Sequence, residues 1–110
     1  MIQVTICQNE KKYCVGFTAK GHAGCGYEGE DVVCAAASVL MINTINAVEK
    51  YTGDPFSRIS EDPDAMLFFE ILEEPSKEAA LLLNAMILGL QNMADNEDYA
   101  KYIQLTFEEV

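Results

Sequence analysis

His22 and Cys34 are the residues in this chain best suited to covalent chemistry. His22 is the only histidine among 110 residues, and eleven residues separate it from Cys34. The stretch that holds them runs Gly21-His22-Ala23-Gly24-Cys25-Gly26-Tyr27-Glu28-Gly29-Glu30-Asp31-Val32-Val33-Cys34-Ala35-Ala36-Ala37-Ser38. Its glycines and lack of apolar periodicity up to Asp31 predict a loop, and Asp31 reads as the cap of a following helix. Cys34 would then fall in the first helical turn, where free N–H groups and the helix dipole favour a thiolate. His22 sits on a loop long enough to fold back over that helix end. A thiolate beside an imidazolium is an activated nucleophile for attack on a peptide carbonyl, and the imidazolium can then protonate the leaving amine. Backbone N–H groups around Cys34 would hold the oxyanion.

Glu28, Glu30 and Asp31 closely precede Cys34, and negative charge opposes thiolate formation. Activation would therefore depend on the approach of His22, with substrate closing the loop. The same residues have plainer readings. A cysteine among alanines at a helix start is more often a small buried side chain. A lone loop histidine is more often exposed and idle. Asp31 is equally a simple cap, and Ser38, one turn after Cys34, can bond the backbone or fill space. Zinc is the competing chemistry, with His22, Cys25 and Cys34 as ligands beside Cys7 or Cys14. The spacings His-x2-Cys and Cys-x8-Cys match no usual zinc pattern, and no C-x-x-C pair occurs, so no metal is expected. No phosphate loop, dinucleotide fingerprint or lipidation signal is present, and no cofactor is expected.

The elements that must position this segment follow from hydrophobic period. Ile2, Val4 and Ile6 alternate with polar residues, Asn9-Glu10-Lys11-Lys12 breaks the pattern, and Tyr13, Val15, Phe17 and Ala19 resume it. Residues 1–20 thus read as a two-stranded hairpin. From Val32, a helical face of Val33, Ala36, Ala37, Leu40, Met41, Thr44, Ile45 and Val48 runs to the stop Gly53-Asp54-Pro55. Phe56–Ser60 and Ala65–Leu72 read as two strands around Glu61-Asp62-Pro63-Asp64. Ser76 caps a second helix that runs to about Asp95 and is apolar almost all round, so it must be covered on two sides. Ile103, Leu105 and Phe107 mark a last strand. The order ββαββαβ, without repeat or linker, predicts one α+β domain over residues 1–110, a mainly antiparallel five-stranded sheet packed with two long helices.

Charge narrows the class of partner. Seven Lys and Arg stand against 18 Asp and Glu, a formal net charge of -11, which argues against nucleic acid and anionic membranes and suits a basic partner. The first residues carry no basic region or long apolar core, so no signal peptide is expected. The uncharged runs Val32–Val48 and Ala79–Ala94 are 17 and 16 residues long, short for a membrane span, and read as buried helices. Four cysteines, Cys7, Cys14, Cys25 and Cys34, without a secretory signal suggest reduced cytosolic thiols.

With these residues in view, the sequence resembles the ribosomal-processing cysteine protease (Prp, YsxB-like) family. The resemblance rests on Gly21-His22-Ala23, on Gly29-Glu30-Asp31-Val32-Val33-Cys34-Ala35-Ala36-Ala37-Ser38, and on the spacing between His22 and Cys34. Length and element order extend it over the whole chain, with two departures: Ala37, where the family commonly has a β-branched residue, and Cys25, three residues after His22 in the variable loop. The resemblance implies Cys34 as nucleophile, His22 as general base and acid, and Asp31 and Ser38 in support. It places Gly21, Ala23, Gly24 and Gly29 on the loop that meets substrate. It further implies a cytoplasmic homodimer that removes a short N-terminal extension from a basic large-subunit ribosomal protein precursor. The alternative is a non-catalytic dimeric module that binds such a protein or an assembly factor.

Overall fold

Alternation of Ile2, Val4 and Ile6 with polar residues builds the first strand of a five-stranded sheet, and both helices cover the face these three residues share. The computed structural model describes residues 1–21, 28–61 and 66–110. Its elements are β1 (Ile2–Gln8), β2 (Cys14–Lys20), α1 (Glu28–Tyr51), β3 (Phe56–Glu61), β4 (Met66–Ile71), α2 (Lys77–Asp95), a 3-10 turn (Ala100–Tyr102) and β5 (Ile103–Glu109). The strands lie in the order β3-β4-β2-β1-β5. Pairings β1–β2, β2–β4 and β3–β4 are antiparallel, and β1–β5 is parallel. The parallel pair follows from connectivity: α2 carries the chain back along the sheet after β4, so β5 must start beside the start of β1. The predicted ββαββαβ order and mainly antiparallel sheet are what the molecule has.

The core lies between the sheet and the helices. Ile2, Val4, Ile6, Phe17, Ala19, Leu67, Phe69 and Ile71 meet Val33, Cys34, Ala37, Met41, Ile45 and Val48 of α1 and Ala79, Leu83, Met86, Ile87 and Leu90 of α2. Phe69 stands at its centre, with its ring centroid 5.6 Å from those of both Phe17 and Phe56. The two helices pack closely at Gly89, where an added Cβ would come within 2.6 Å of Leu40 Cδ2. The opposite face of the sheet is wet, as antiparallel sheets allow. There Gln3, Thr5, Cys7, Thr18, Lys20 and Glu108 line a hollow of about 280 Å³.

Three expectations need correction. The first helix starts at Glu28 instead of Val32, so Asp31 lies inside it and is not its cap. Acids are favoured in a first helical turn by the dipole, which is how Glu28-Gly29-Glu30-Asp31 joins the helix without apolar residues. Within α1, Ala36 points to solvent and Leu40 is half-buried, although both fit the predicted apolar face. In the hairpin, Phe17 and Ala19 are buried but Tyr13 is 45% exposed, and Cys14 takes the core side instead. A register shift between Cys7 and Gln8 causes this exchange, because one extra residue flips the faces beyond it. Val32–Tyr51 is apolar enough over its 20 residues to span a membrane on length and composition, yet its Val33, Met41, Ile45 and Val48 are buried in the core. It is a core helix.

Candidate active site

Connectivity decides where Cys34 can be. Tyr51 ends α1 just before β3 begins, and β3 begins at the end of the sheet where β4 finishes, since Phe56 pairs with Ile71. Running back from there, Cys34 lies about 26 Å along the helix axis. That distance places it over the other end of the sheet. At that end β2 finishes with Lys20 opposite Gln3, and β5 starts with Ile103 opposite Ile2. The 3-10 turn before β5 packs against α1 at the same end. The chain passes from β2 through Gly21 directly into His22. The topology thus delivers the backbone that leads into His22 to the end of the sheet that holds Cys34.

Cys34 is 3% exposed and sits on the core side of its helix with Val33 and Ala37. It is the seventh residue of α1, not a first-turn residue. Its N–H therefore falls within the i to i−4 ladder, outside the four orphan donors of the helix end. The helix dipole, which weakens beyond the first turn, gives less support to a thiolate than the sequence suggested. An oxyanion would likewise need donors other than the N–H groups around Cys34. Ser38, one turn on, is half-buried on the flank of the same face. His22, Ala23, Gly24 and Cys25 lie outside the described residues, and Gly29 and Asp31 are placed as helical backbone.

The other described thiols are built differently. Cys14 is 2% exposed and donates to the Gly16 carbonyl at 3.4 Å. Burial pushes its pKa up to about 11 against a lowering by that hydrogen bond. Cys7 is half-buried on the wet face of the sheet, and its pKa is raised by burial, then by Glu108 and Glu70. Burial, joined at Cys7 by the neighbouring carboxylates, disfavours both thiolates, so neither is arranged as a nucleophile among the described residues. Two of the residues weighed as zinc ligands, His22 and Cys25, fall outside the description, and among the described residues no three His, Cys, Asp or Glu side chains gather as a metal site.

Gly21 is the feature that sequence reasoning left without a shape. Its φ is +76°, in the left-handed region, and a Cβ there would lie 2.5 Å from the Met1 carbonyl oxygen. The glycine itself is visible in the sequence as a loop residue. Nothing in the sequence points to Met1, which comes alongside through strand pairing.

Known proteins resemble this chain in both sequence and fold. The profile of a family described as cysteine protease Prp matches residues 1–104. The chain is 32% identical over 111 aligned positions to the ribosomal processing cysteine protease Prp of Bacillus subtilis, covering 96% of each. A crystal structure of an essential ribosomal processing protease Prp from S. aureus, in complex with a substrate peptide, superimposes with a TM-score of 0.89 at 28% identity, covering 98% of this chain and 100% of that one. A second structure of the S. aureus protease, with a covalently linked product peptide, gives a TM-score of 0.85 at 29% identity over the same shares.

Proposed function

Because the chain belongs to the cysteine protease Prp family, we propose that it hydrolyses a peptide bond with Cys34 as nucleophile and His22 as general base and acid. The observation that supports this reading is that the chain leaves β2 toward His22 at the end of the sheet where α1, which carries Cys34, begins. The Cys34 thiol gives its proton to His22 and its sulfur attacks the scissile carbonyl carbon. As the tetrahedral intermediate collapses, the C–N bond breaks and the imidazolium protonates the departing amine. A water then attacks the thioester, His22 takes its proton, the C–S bond breaks and the proton returns to Cys34. Asp31 and Ser38 support the pair from the same helix. Because Cys34 is 3% exposed at rest, the thiol must become more accessible when a peptide binds.

The substrate that fits is the N-terminal extension of a large-subunit ribosomal protein precursor in the cytoplasm. Such a protein is strongly basic, and a formal net charge of -11 favours its approach. The working form is a homodimer. Val39, Leu81 and Leu88 are 68%, 70% and 59% exposed on the outer side of the helix layer, in stretches that carry no charge. Val39 points about 140° around α1 from Cys34, so a second copy can cover this surface without blocking the thiol.

Alkylation tests the pair. Iodoacetamide modification of Cys34, located by peptide mass spectrometry, abolishes cleavage, and His22→Ala slows it while leaving Cys7 unchanged. Full cleavage by a chain alkylated at Cys34 would sink the proposal.

A further inference from the structure

Both helices cover one face of the sheet and leave the other open. On the open face, toward the β1–β2 turn, Glu70 stands opposite Gly16, Gly16 opposite Cys7, and Cys7 opposite Glu108. Glycine puts no side chain into its place in that cross-strand row. A hollow of about 290 Å³ lies there, walled by Cys7, Val15, Phe68, Glu70 and Val110. That is room for about ten water molecules, so a long side chain can enter by displacing water. The walls are mostly apolar. Val15 and Phe68 are half-buried, and Val110, whose N–H donates to the Gln8 carbonyl at 2.8 Å, is 71% exposed. In the adjoining hollow, Gln3, Thr5 and Thr18 offer hydrogen-bonding groups along the same face.

The charge that flanks the hollow is of one sign. Glu70 and Glu108 are exposed, and neither has an ion-pair partner among the described residues. The lysines of the adjacent turn are engaged elsewhere, Lys11 with Glu74 at 2.8 Å and Lys12 with Glu109 at 3.5 Å. Lys20 shares the face but stands about 13 Å along β2 from Gly16. The field of both carboxylates is felt at the hollow, since after burial it is Glu108 and Glu70 that raise the Cys7 pKa. A second copy would bring its own Glu70 and Glu108 to this face, where like charges repel. A lysine or arginine side chain suits both parts of the site. Its apolar stem can lie on Phe68 and Val15 while its cation stays near water, beside the carboxylates.

We propose that the open face of the sheet docks an extended basic peptide segment, one arginine or lysine of which enters the hollow over Gly16 between Glu70 and Glu108. This face points away from α1, so the inference goes beyond the reading of Cys34 as nucleophile and does not depend on it.

A short peptide gives the test. The probe is acetylated and amidated Thr-Val-Arg-Val-Thr, beside a twin with citrulline in place of arginine, which keeps the shape and removes the charge. Binding to the full chain is followed by backbone amide NMR at low salt, where attraction between exposed charges is least screened. At millimolar concentration the arginine peptide should shift the amides of Cys7, Val15, Gly16, Phe68 and Glu70. Glu70→Gln with Glu108→Gln should weaken binding by about fivefold or more, as loss of two partly solvated charge contacts does. Glu49→Gln with Glu97→Gln removes the same net charge at exposed positions elsewhere and should change affinity by less than about twofold. No shifts at these amides, or shifts confined to other residues, would overturn the proposal. So would equal binding of the citrulline twin, or unchanged affinity in the Glu70 and Glu108 double variant. If the same amides shift with protein concentration before peptide is added, a second copy takes this face and the proposal falls.

Discussion

The Asp54 carboxylate accepts two hydrogen bonds from Ser76, at 2.8 Å from its N–H and 2.5 Å from its hydroxyl. The Ser76 oxygen in turn accepts from Ala79 N–H at 3.1 Å and caps α2. Asp54 follows α1, so this small network fastens the end of the helix that carries Cys34 to the start of the helix packed against it.

The network makes stability pH-dependent. Burial acts to raise the Asp54 pKa, but the Ser76 hydrogen bonds outweigh it and the carboxyl lies below its ordinary value. A carboxyl depressed in the folded state stabilises it above the unfolded pKa, and that contribution is lost as the pH falls through the native value. Asp54→Ala should cost about 1 kcal/mol at neutral pH, a typical capping loss at a partly solvated site. In urea unfolding, the gap between wild type and Asp54→Ala should narrow below about pH 4. A gap that stays constant down to strong acid would contradict this account.

Gly16 is the second point of sensitivity. An added Cβ would run into the Phe69 carbonyl oxygen and come within 3.1 Å of Glu70 Cα, both backbone atoms of the neighbouring strand. Gly16→Ala should therefore force β2 from β4 and cost about 1–3 kcal/mol, as overpacking does elsewhere. The change should appear as a lower urea midpoint with an unchanged slope. An unaltered midpoint would mean that the strands separate freely at this pair.

A homodimer closed over the uncharged helix faces should break when charge is placed there. Val39→Glu with Leu88→Glu should convert a sedimenting dimer into a folded monomer, because each buried unpaired carboxylate carries a desolvation cost. Both residues are well exposed in the isolated chain, so the fold itself should tolerate them. Wild type that sediments as a monomer at micromolar concentration would remove the dimer from the account.

The thiols should label in a graded way. Cys14, 2% exposed with a pKa near 11, should resist iodoacetamide at pH 8 while the protein is folded. Cys7 should react slowly, because burial and the carboxylates of Glu108 and Glu70 disfavour its thiolate. Rapid labelling of Cys14 without loss of structure would show that the hairpin opens locally.

Much of this architecture could be read from residue types. The β1–β2 hairpin and the Ser76 cap follow from period and cap chemistry, and the helix–sheet layering follows from the element order. The start of α1 could not, because the glycines and acids before Val32 carry no apolar period, although a helix N-terminus favours the acids among them. The exchange of Cys14 for Tyr13 in the core was equally hidden, since a bulge is set by strand pairing. At the candidate site, the types and spacing of His22 and Cys34 are a reading of the sequence, and chain connectivity explains why the start of α1 and the exit of β2 share one end. The closeness of Gly21 to Met1 was not legible, since strand pairing brings together two residues far apart in the sequence.

The most direct test is mass spectrometry of the extended ribosomal protein precursor after incubation with this chain, beside Cys34→Ala and His22→Ala. The account predicts one cut, at the end of the N-terminal extension, made by wild type and absent with either variant. The same cut made by Cys34→Ala, or none by folded wild type with reduced thiols, would contradict it.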